Sequence, residues 1–146
     1  MKVVVQRAID AKCIINNEVY SNIDFGYVLL VSFKEGDDIN VINKMIKKII
    51  NLRIFEDENG KMNLNIKQVN GKILSISQFT LYANTNDGNR PSFATALSGE
   101  KSVVLYNLFN ELLSKEIEVK TGVFGAYMQI SFINDGPCTF NLEFEN

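Results

Sequence analysis

Near its C-terminal end the chain has two stretches in which apolar and polar residues alternate, residues 129–132 and residues 140–144. A period of two predicts a half-buried β-strand on each side. Between them lies the sequence Asn134-Asp135-Gly136-Pro137. Proline cannot donate to a strand ladder, and glycine adopts backbone angles that other residues avoid. The segment therefore predicts two strands that meet at a corner of bare main-chain carbonyls.

The corner at Gly136 and Pro137 has two interpretations. The first is an ordinary turn, because Gly-Pro pairs usually mark turns. The second is a rigid segment of main chain that contacts a small ligand. The pattern by itself does not separate the two, so another part of the chain must decide.

Histidine is absent from the 146 residues. This absence excludes Ser-His-Asp and Cys-His triads, histidine general bases and nearly all zinc hydrolase designs. Cys13 and Cys138 lie far apart in sequence, so we expect them to pack as small apolar groups and not as metal ligands. We expect no metal and no cofactor. Any proton transfer would involve carboxylates, lysine, tyrosine, water or the substrate.

The overall charge and the apolar content limit the partners that we expect. The net charge is −2, so the molecule as a whole is not basic, and any contact with RNA must involve a local group of positive charges. No apolar run approaches the roughly 20 residues of a membrane helix, and the first residues do not resemble a signal peptide. We therefore expect one cytoplasmic domain, residues 1–146, with no membrane association.

Two helices are predicted among the strands, at residues 38–52 and residues 99–115, because apolar residues recur there at steps of three and four. Lys47 and Lys48 are interpreted as a solvated face of the first helix, in preference to an RNA-binding patch. The other segments are mostly strand-like, which predicts an α+β domain. We expect a mainly antiparallel sheet, curled toward a barrel, with both long helices packed on it. The predicted stripes are Ile39, Ile42, Met45, Ile46, Ile49 and Leu52 in the first helix, and Val104, Leu105, Leu108, Phe109, Leu112 and Leu113 in the second.

Residues 72–82 are predicted to form a strand that carries unusually many polar side chains. Ser77 and Phe79 would lie on one face, and Gln78 and Thr80 on the other. Buried polar side chains need partners. Either these groups hydrogen-bond within the sheet or a ligand contacts them, and composition leaves both possibilities open.

Given residues 77–81 (Ser-Gln-Phe-Thr-Leu) and residues 134–139 (Asn-Asp-Gly-Pro-Cys-Thr), the chain resembles the D-aminoacyl-tRNA deacylases. The resemblance extends over essentially the whole length. One departure is Cys138, where that family usually has valine. The other matching segments are Gln6-Arg7, residues 53–55, residues 60–63, residues 90–93, and Thr121-Gly122 with Phe124 and Met128.

The resemblance implies a homodimer that hydrolyses the ester between a D-amino acid and the terminal adenosine of tRNA, with the tRNA acceptor end as its partner. It also implies a cis Gly136-Pro137 bond that reaches into the pocket of the partner subunit. Glycyl-tRNA, including glycine mischarged on tRNA-Ala, would also be a substrate. The implied catalytic residues are Ser77, Gln78, Phe79 and Thr80, and the implied substrate-binding residues are Gly136, Pro137, Met128 and Arg7.

A rigid wall of backbone can select handedness, because D and L residues held by the same groups point their side chains in opposite directions. The carbonyls of Gly136 and Pro137 could also accept hydrogen bonds from the substrate ammonium. Arg7 is expected to fix the orientation of this corner. The alternative is that Arg7 forms only a surface salt bridge.

Two routes to hydrolysis remain. In one, Thr80 is the nucleophile, although no base is evident to activate it. In the other, which we favour, main-chain N–H groups around Gln78 and Phe79 stabilise the oxyanion and the ribose 2′-hydroxyl assists water. Two rival functions are a non-catalytic dimeric barrel that binds a D-amino acid or an RNA 3′ end, and a general esterase that uses Thr80.

Overall fold

A five-stranded sheet forms the centre of the computed structural model, which describes residues 1–86 and 88–146. Strands β1 (Lys2–Ile15) and β2 (Glu18–Ser32) form an antiparallel hairpin. Asn16 and Asn17 make its turn with φ values of 53° and 65°, in the left-handed region that asparagine tolerates.

The central sheet also contains three strands from later in the chain, and a separate hairpin lies outside it. The hairpin consists of β3 (Phe55–Glu56) and β4 (Met62–Leu64). In the main sheet, β5 (Lys72–Ser77) runs parallel to β2, and β6 (Val119–Thr121) runs parallel to β5. Strand β7 (Gln129–Glu143) is antiparallel to β1. It is one continuous strand, so the prediction of two strands joined at Gly136-Pro137 is wrong. That pair lies in a bulge, where the register with β1 shifts and the pairing is interrupted. The strand order is β6-β5-β2-β1-β7.

The expectation of a sheet curled toward a barrel is wrong, and the expectation of mainly antiparallel pairing is correct only in part. The sheet is mixed, with two antiparallel and two parallel pairings, and β6 and β7 form its open edges. Each parallel pairing needs a long crossover, and the helices α1 (Ile39–Asn51) and α2 (Gly99–Ser114) lie within those crossovers. The α+β class and the two long helices are as predicted.

Helix α1 begins where the sequence places it, because the Asp38 side chain accepts hydrogen bonds from the N–H groups of Asn40 and Val41. The predicted stripe is largely correct, although Ile39 is half exposed. In α2 the buried face differs from the prediction. Val104 is exposed, whereas Ser102 and Tyr106 are buried. No helix in the described part of the chain has the length and apolar character needed to cross a bilayer.

Both helices pack on one face of the sheet, where the larger apolar core forms. A second, smaller cluster, centred on Ala8, Ala11, Cys13, Val28 and Leu74, covers the opposite face. Met128, Ile130 and Phe132 are only partly buried against this second cluster. The sheet therefore has one fully covered face and one thinly covered face.

Candidate active site

A cavity of about 290 Å³ opens where β5 ends, between the first turns of α2 and the segment before β7. Its wall combines polar groups with aromatic and aliphatic surface, which is the usual composition of a small-molecule site. The residues that line it include Ser77, Gln78, Phe79, Ser102, Tyr106, Phe124 and Met128.

The strand that leads to the cavity is shorter than predicted. Residues 72–82 were expected to be one strand, but β5 ends at Ser77 and a 3-10 helix spans Phe79–Tyr82. The N–H of Gln78 makes a final bond to the Val31 carbonyl at 2.7 Å, after which the chain turns. The polar residues that seemed out of place in a strand therefore lie at its end, where side chains and main chain can meet a ligand.

This geometry narrows the set of possible oxyanion donors. The Gln78 N–H is already donated to Val31, so it is not available to a substrate. The N–H of Phe79 begins the 3-10 helix and therefore has no acceptor within that helix. Of the two predicted donors, Phe79 is the one that the hydrogen bonding of this chain leaves available.

Thr80 does not line the cavity. Its exposed Oγ1 accepts a hydrogen bond from Gln78 Nε2 at 2.6 Å. An amide nitrogen of this kind is a donor and cannot remove the hydroxyl proton. The arrangement orients Gln78 and Thr80 relative to each other, but it lacks the activating base that a threonine nucleophile requires.

Met128 forms part of the cavity wall and is packed closely against Gly122. A Cβ on Gly122 would lie 2.4 Å from Met128 Sδ and 3.1 Å from Ile76 Cδ1. Because Gly122 has no side chain, the Met128 side chain can occupy the space beside it. Phe124 also lines the cavity and packs against Tyr106, with ring centroids 5.8 Å apart.

Sequence reasoning missed two wall residues on α2, Ser102 and Tyr106. Tyr106 donates its hydroxyl hydrogen to the Ser75 carbonyl at 2.7 Å, and burial raises the pKa of this phenol. The two residues are four positions apart and therefore share one helix face. A polar pair at that spacing is the signal in the sequence that indicates a wet helix face, although the apolar residues of α2 predict a different buried face.

The Gly136-Pro137 corner forms a second cluster. Its peptide bond is cis, as the family resemblance implied. Arg7 Nε donates to the Asp135 carbonyl at 3.2 Å, and Arg7 Nη2 lies 2.9 Å from the Asp135 carboxylate. The remaining nitrogen, Nη1, donates to the Ile54 carbonyl at 2.9 Å. Arg7 is thus an almost fully buried link between β1, β7 and the segment after α1.

Two further contacts fix the shape of this corner. Asn134 Oδ1 accepts a hydrogen bond from the Cys138 N–H at 3.2 Å, across the bulge in β7. Gly136 has a φ of +131°, and a Cβ there would lie 2.9 Å from the Cys138 nitrogen. Burial raises the pKa of the Cys138 thiol. Gly136 and Pro137 themselves remain exposed.

Within this chain the predicted site residues fall into two groups. Ser77, Gln78, Phe79 and Met128 line the cavity, whereas Gly136, Pro137 and Arg7 do not, and Thr80 lies just outside it. Among residues 1–86 and 88–146, no three Cys, Asp or Glu side chains are grouped so that they could hold a metal ion. The chemistry available to this cavity comes from main-chain N–H groups, hydroxyls and an amide.

Comparison with known proteins gives one consistent family. A family model described as D-Tyr-tRNA(Tyr) deacylase matches residues 4–143. The chain is 54% identical over 144 residues to the D-aminoacyl-tRNA deacylase of Lactobacillus gasseri, covering 98% of this chain and 99% of that protein. It is 51% identical to the D-aminoacyl-tRNA deacylase of Limosilactobacillus reuteri, with the same coverage.

Two solved structures share the whole fold. A structure described as c-Myc DNA unwinding element binding protein superposes with a TM-score of 0.95 at 39% identity and covers all of both chains. A probable eukaryotic D-amino acid tRNA deacylase gives a TM-score of 0.84 at 15% identity, over 97% of each chain. At that identity the second likeness shows the fold alone.

Proposed function

The chain belongs to the D-Tyr-tRNA(Tyr) deacylase family, and on that premise we propose that it hydrolyses the ester between a D-amino acid and the terminal adenosine of tRNA. The observation that carries the proposal is the pairing of a cavity at Ser77, Gln78 and Phe79 with a rigid, exposed corner at Gly136-Pro137. Such an enzyme would act in the cytoplasm, where tRNA is charged.

The protein acts as a homodimer in this proposal, and the corner of one protomer enters the cavity of the other. Three features support this arrangement. Pro137 is exposed and does not line the cavity of its own protomer. Next to the corner, Ile133 on β7 is 61% exposed, and its ladder neighbour Ile9 on β1 is 38% exposed. Adjacent exposed isoleucines are a surface that a second copy would cover.

Selection of the D configuration follows from exclusion by backbone. The carbonyls of Gly136 and Pro137 accept hydrogen bonds from the substrate ammonium. The corner fills the space into which an L side chain would point. The Arg7 and Asn134 contacts make the wall unyielding, so the L side chain cannot displace it. Glycine has no side chain to exclude, so glycyl-tRNA, including glycine mischarged on tRNA-Ala, is also a substrate.

Hydrolysis proceeds with the help of the RNA itself. The Phe79 N–H stabilises the developing oxyanion, and the ribose 2′-hydroxyl assists attack by water. Two features favour this route over a Thr80 nucleophile. Thr80 Oγ1 contacts an amide donor instead of a base, and the chain has no histidine that could serve as one.

The test compares D-tyrosyl-tRNA, L-tyrosyl-tRNA and glycyl-tRNA in a deacylation assay with the whole protein. We expect release of the D residue and of glycine, and retention of the L residue. Binding of the D substrate without release would support the non-catalytic alternative, and hydrolysis of a simple D-amino acid ester without ribose would support the general esterase. A D-aminoacyl-tRNA ending in 2′-deoxyadenosine should be cleaved far more slowly, and normal turnover of it would overturn the RNA-assisted route.

A further inference from the structure

A groove of about 570 Å³ lies along the C-terminal half of α1, away from the cavity. Four cationic side chains line it, Lys44, Lys47, Lys48 and Arg53. Leu52 and Phe144 provide its apolar surface. None of its lining residues is acidic, although the molecule as a whole carries a net charge of −2. The groove is therefore a locally positive surface on a molecule whose net charge is negative.

The pairing of charges elsewhere makes this groove distinctive. The chain has fifteen Lys and Arg residues, and nine of them form ion pairs with carboxylates of the described residues. Within residues 1–86 and 88–146, six have no such pair, and four of these six line this one groove. In the part of the chain that the structure describes, most of the cations that lack a carboxylate partner thus lie in this groove.

The spacing of the lysines makes the cluster costly to the isolated protein. Lys44 and Lys48 are separated by one helical turn, and Lys47 lies beside them on the same face. Like charges at this spacing repel each other. The helix dipole near the C-terminal end of α1 offsets part of that repulsion. Arg53 lies beyond the helix, where its Nε donates to the Asn63 carbonyl at 2.9 Å, and its guanidinium adds a fourth positive charge to the groove.

We propose that this groove binds the phosphate backbone of the tRNA acceptor arm, an inference that rests on the proposed function. Several separate cations around an open groove suit a chain of repeated phosphates better than a single small anion. The sequence pattern alone favours a solvated face for Lys47 and Lys48 of α1. The folded chain changes that interpretation, because it adds Arg53 and the floor residues Leu52 and Phe144 to the same surface.

The position of the groove connects it to the chemistry. Arg53 precedes Ile54, whose carbonyl is held by Arg7, and Arg7 holds the Gly-Pro corner. Phe144 lies seven residues along the chain from Pro137, which is roughly 23 Å at the rise of a strand. An acceptor arm on the groove would therefore place its single-stranded end near the corner. In the proposed dimer, that corner lies at the cavity of the partner protomer.

The test uses the full chain with all four groove cations replaced by glutamine, and a matched control with four ion-paired lysines replaced. Both proteins lose the same charge, and urea unfolding checks that each is folded. The groove variant is Lys44→Gln with Lys47→Gln, Lys48→Gln and Arg53→Gln. The control is Lys67→Gln with Lys101→Gln, Lys115→Gln and Lys120→Gln.

Two substrates separate this proposal from the proposed function. One is D-tyrosyl-tRNA, and the other is D-tyrosyl-adenosine, which has the ester and the ribose but no phosphate backbone. We expect the groove variant to lose about tenfold or more in kcat/KM on the tRNA and nothing on the adenosine ester. Its plot of log KM against log salt should be shallower by about 3, since each lost phosphate contact removes about 0.7–0.9 from the slope.

Each outcome has a distinct meaning. If the wild type cleaves both substrates and the groove variant keeps the wild-type kcat/KM and salt slope on tRNA, the groove proposal is wrong. An equal loss in the control variant would also overturn it, because overall charge would then be the cause. If the wild type cleaves neither substrate, the proposed function fails instead. Fluorescence anisotropy with an uncharged acceptor-stem hairpin RNA gives a binding readout that does not depend on turnover, and unchanged affinity in the groove variant would contradict the proposal.

Discussion

Arg7 and Asp135 are joined at two points, through the Asp135 carbonyl oxygen at 3.2 Å and its carboxylate at 2.9 Å. Asp135 directly precedes the Gly136-Pro137 corner, so this pair couples the first strand to the main-chain wall that we propose as the handedness filter. The third guanidinium contact goes to the Ile54 carbonyl, so removal of the arginine also breaks the link between the corner and the segment after α1.

Replacing Arg7 with alanine should loosen the corner. We expect the free energy of unfolding to fall by at least about 1.5–3 kcal/mol, the range for one hydrogen bond to a charged group, because Arg7 makes three such contacts. The Cys138 thiol, buried beside the corner, should become accessible to iodoacetamide, whereas Cys13 on β1 should remain protected. Burial raises the pKa of both thiols, so in the wild type both should react slowly at neutral pH and faster as the pH rises.

Asp135→Asn serves as the control for that experiment, since it keeps the main-chain acceptor and one side-chain oxygen. Labelling of Cys138 should stay close to the wild-type rate in this variant. Equal labelling of Cys13 and Cys138 in Arg7→Ala would show general unfolding instead of a local effect, and protection of both would show that Arg7 does not hold the corner.

Replacing Gly136 with alanine should damage the corner more than the same change at an ordinary left-handed glycine. At Gly136 the new Cβ meets the Cys138 nitrogen at 2.9 Å, in addition to the unfavourable φ. At Gly60 the φ is +70° and nothing lies within 4 Å, so only the backbone cost of about 1–2 kcal/mol applies. We expect both variants to fold, and only Gly136→Ala to lose D-aminoacyl-tRNA cleavage or its rejection of the L substrate. Equal behaviour of the two variants in the deacylation assay would contradict the role given to the corner.

Replacing Gly122 with alanine should alter the cavity without unfolding the protein. The added Cβ would approach Met128 Sδ at 2.4 Å, and a methionine side chain can move aside. Since Met128 lines the cavity, we expect a higher KM with a smaller change in kcat, measured on D-tyrosyl-tRNA. Gly99→Ala is the control, because that glycine begins α2 and has open space around it. An unchanged KM in Gly122→Ala would remove Met128 from the substrate site.

Replacing Thr80 with valine removes the hydroxyl but keeps the shape of the side chain. If the RNA assists its own hydrolysis, turnover should fall only modestly, because the loss is one hydrogen bond to Gln78. If Thr80 is the nucleophile, turnover should fall by many orders of magnitude, and an acyl-enzyme should be trapped by rapid acid quench in the wild type. Thr80→Ser, which keeps the hydroxyl, should be active under either mechanism and confirms that the position tolerates substitution.

Local patterns in the sequence predicted most elements of the fold but not their assembly. The period of Ile42, Met45 and Ile49 identifies α1, and Asp38 identifies its start. The parallel pairing of β5 with β2 was missed, because a strand's own pattern does not say which neighbour it will join. In α2 there are more apolar residues than buried positions. Which of them become buried depends on how the helix packs against the sheet, and this packing buries Tyr106 and leaves Val104 exposed.

By itself the sequence determined the elements and the chemistry that is available: hydroxyls, amides and a Gly-Pro corner, with no histidine. Such features depend on residue type and on neighbours a few positions away. Only the tertiary structure decided that the Gln78 N–H is already bonded to Val31, that Arg7 contacts Asp135, and that Arg53 joins the lysines of α1 in one groove. Those contacts join residues far apart in the chain, and their geometry follows from how the sheet and helices pack.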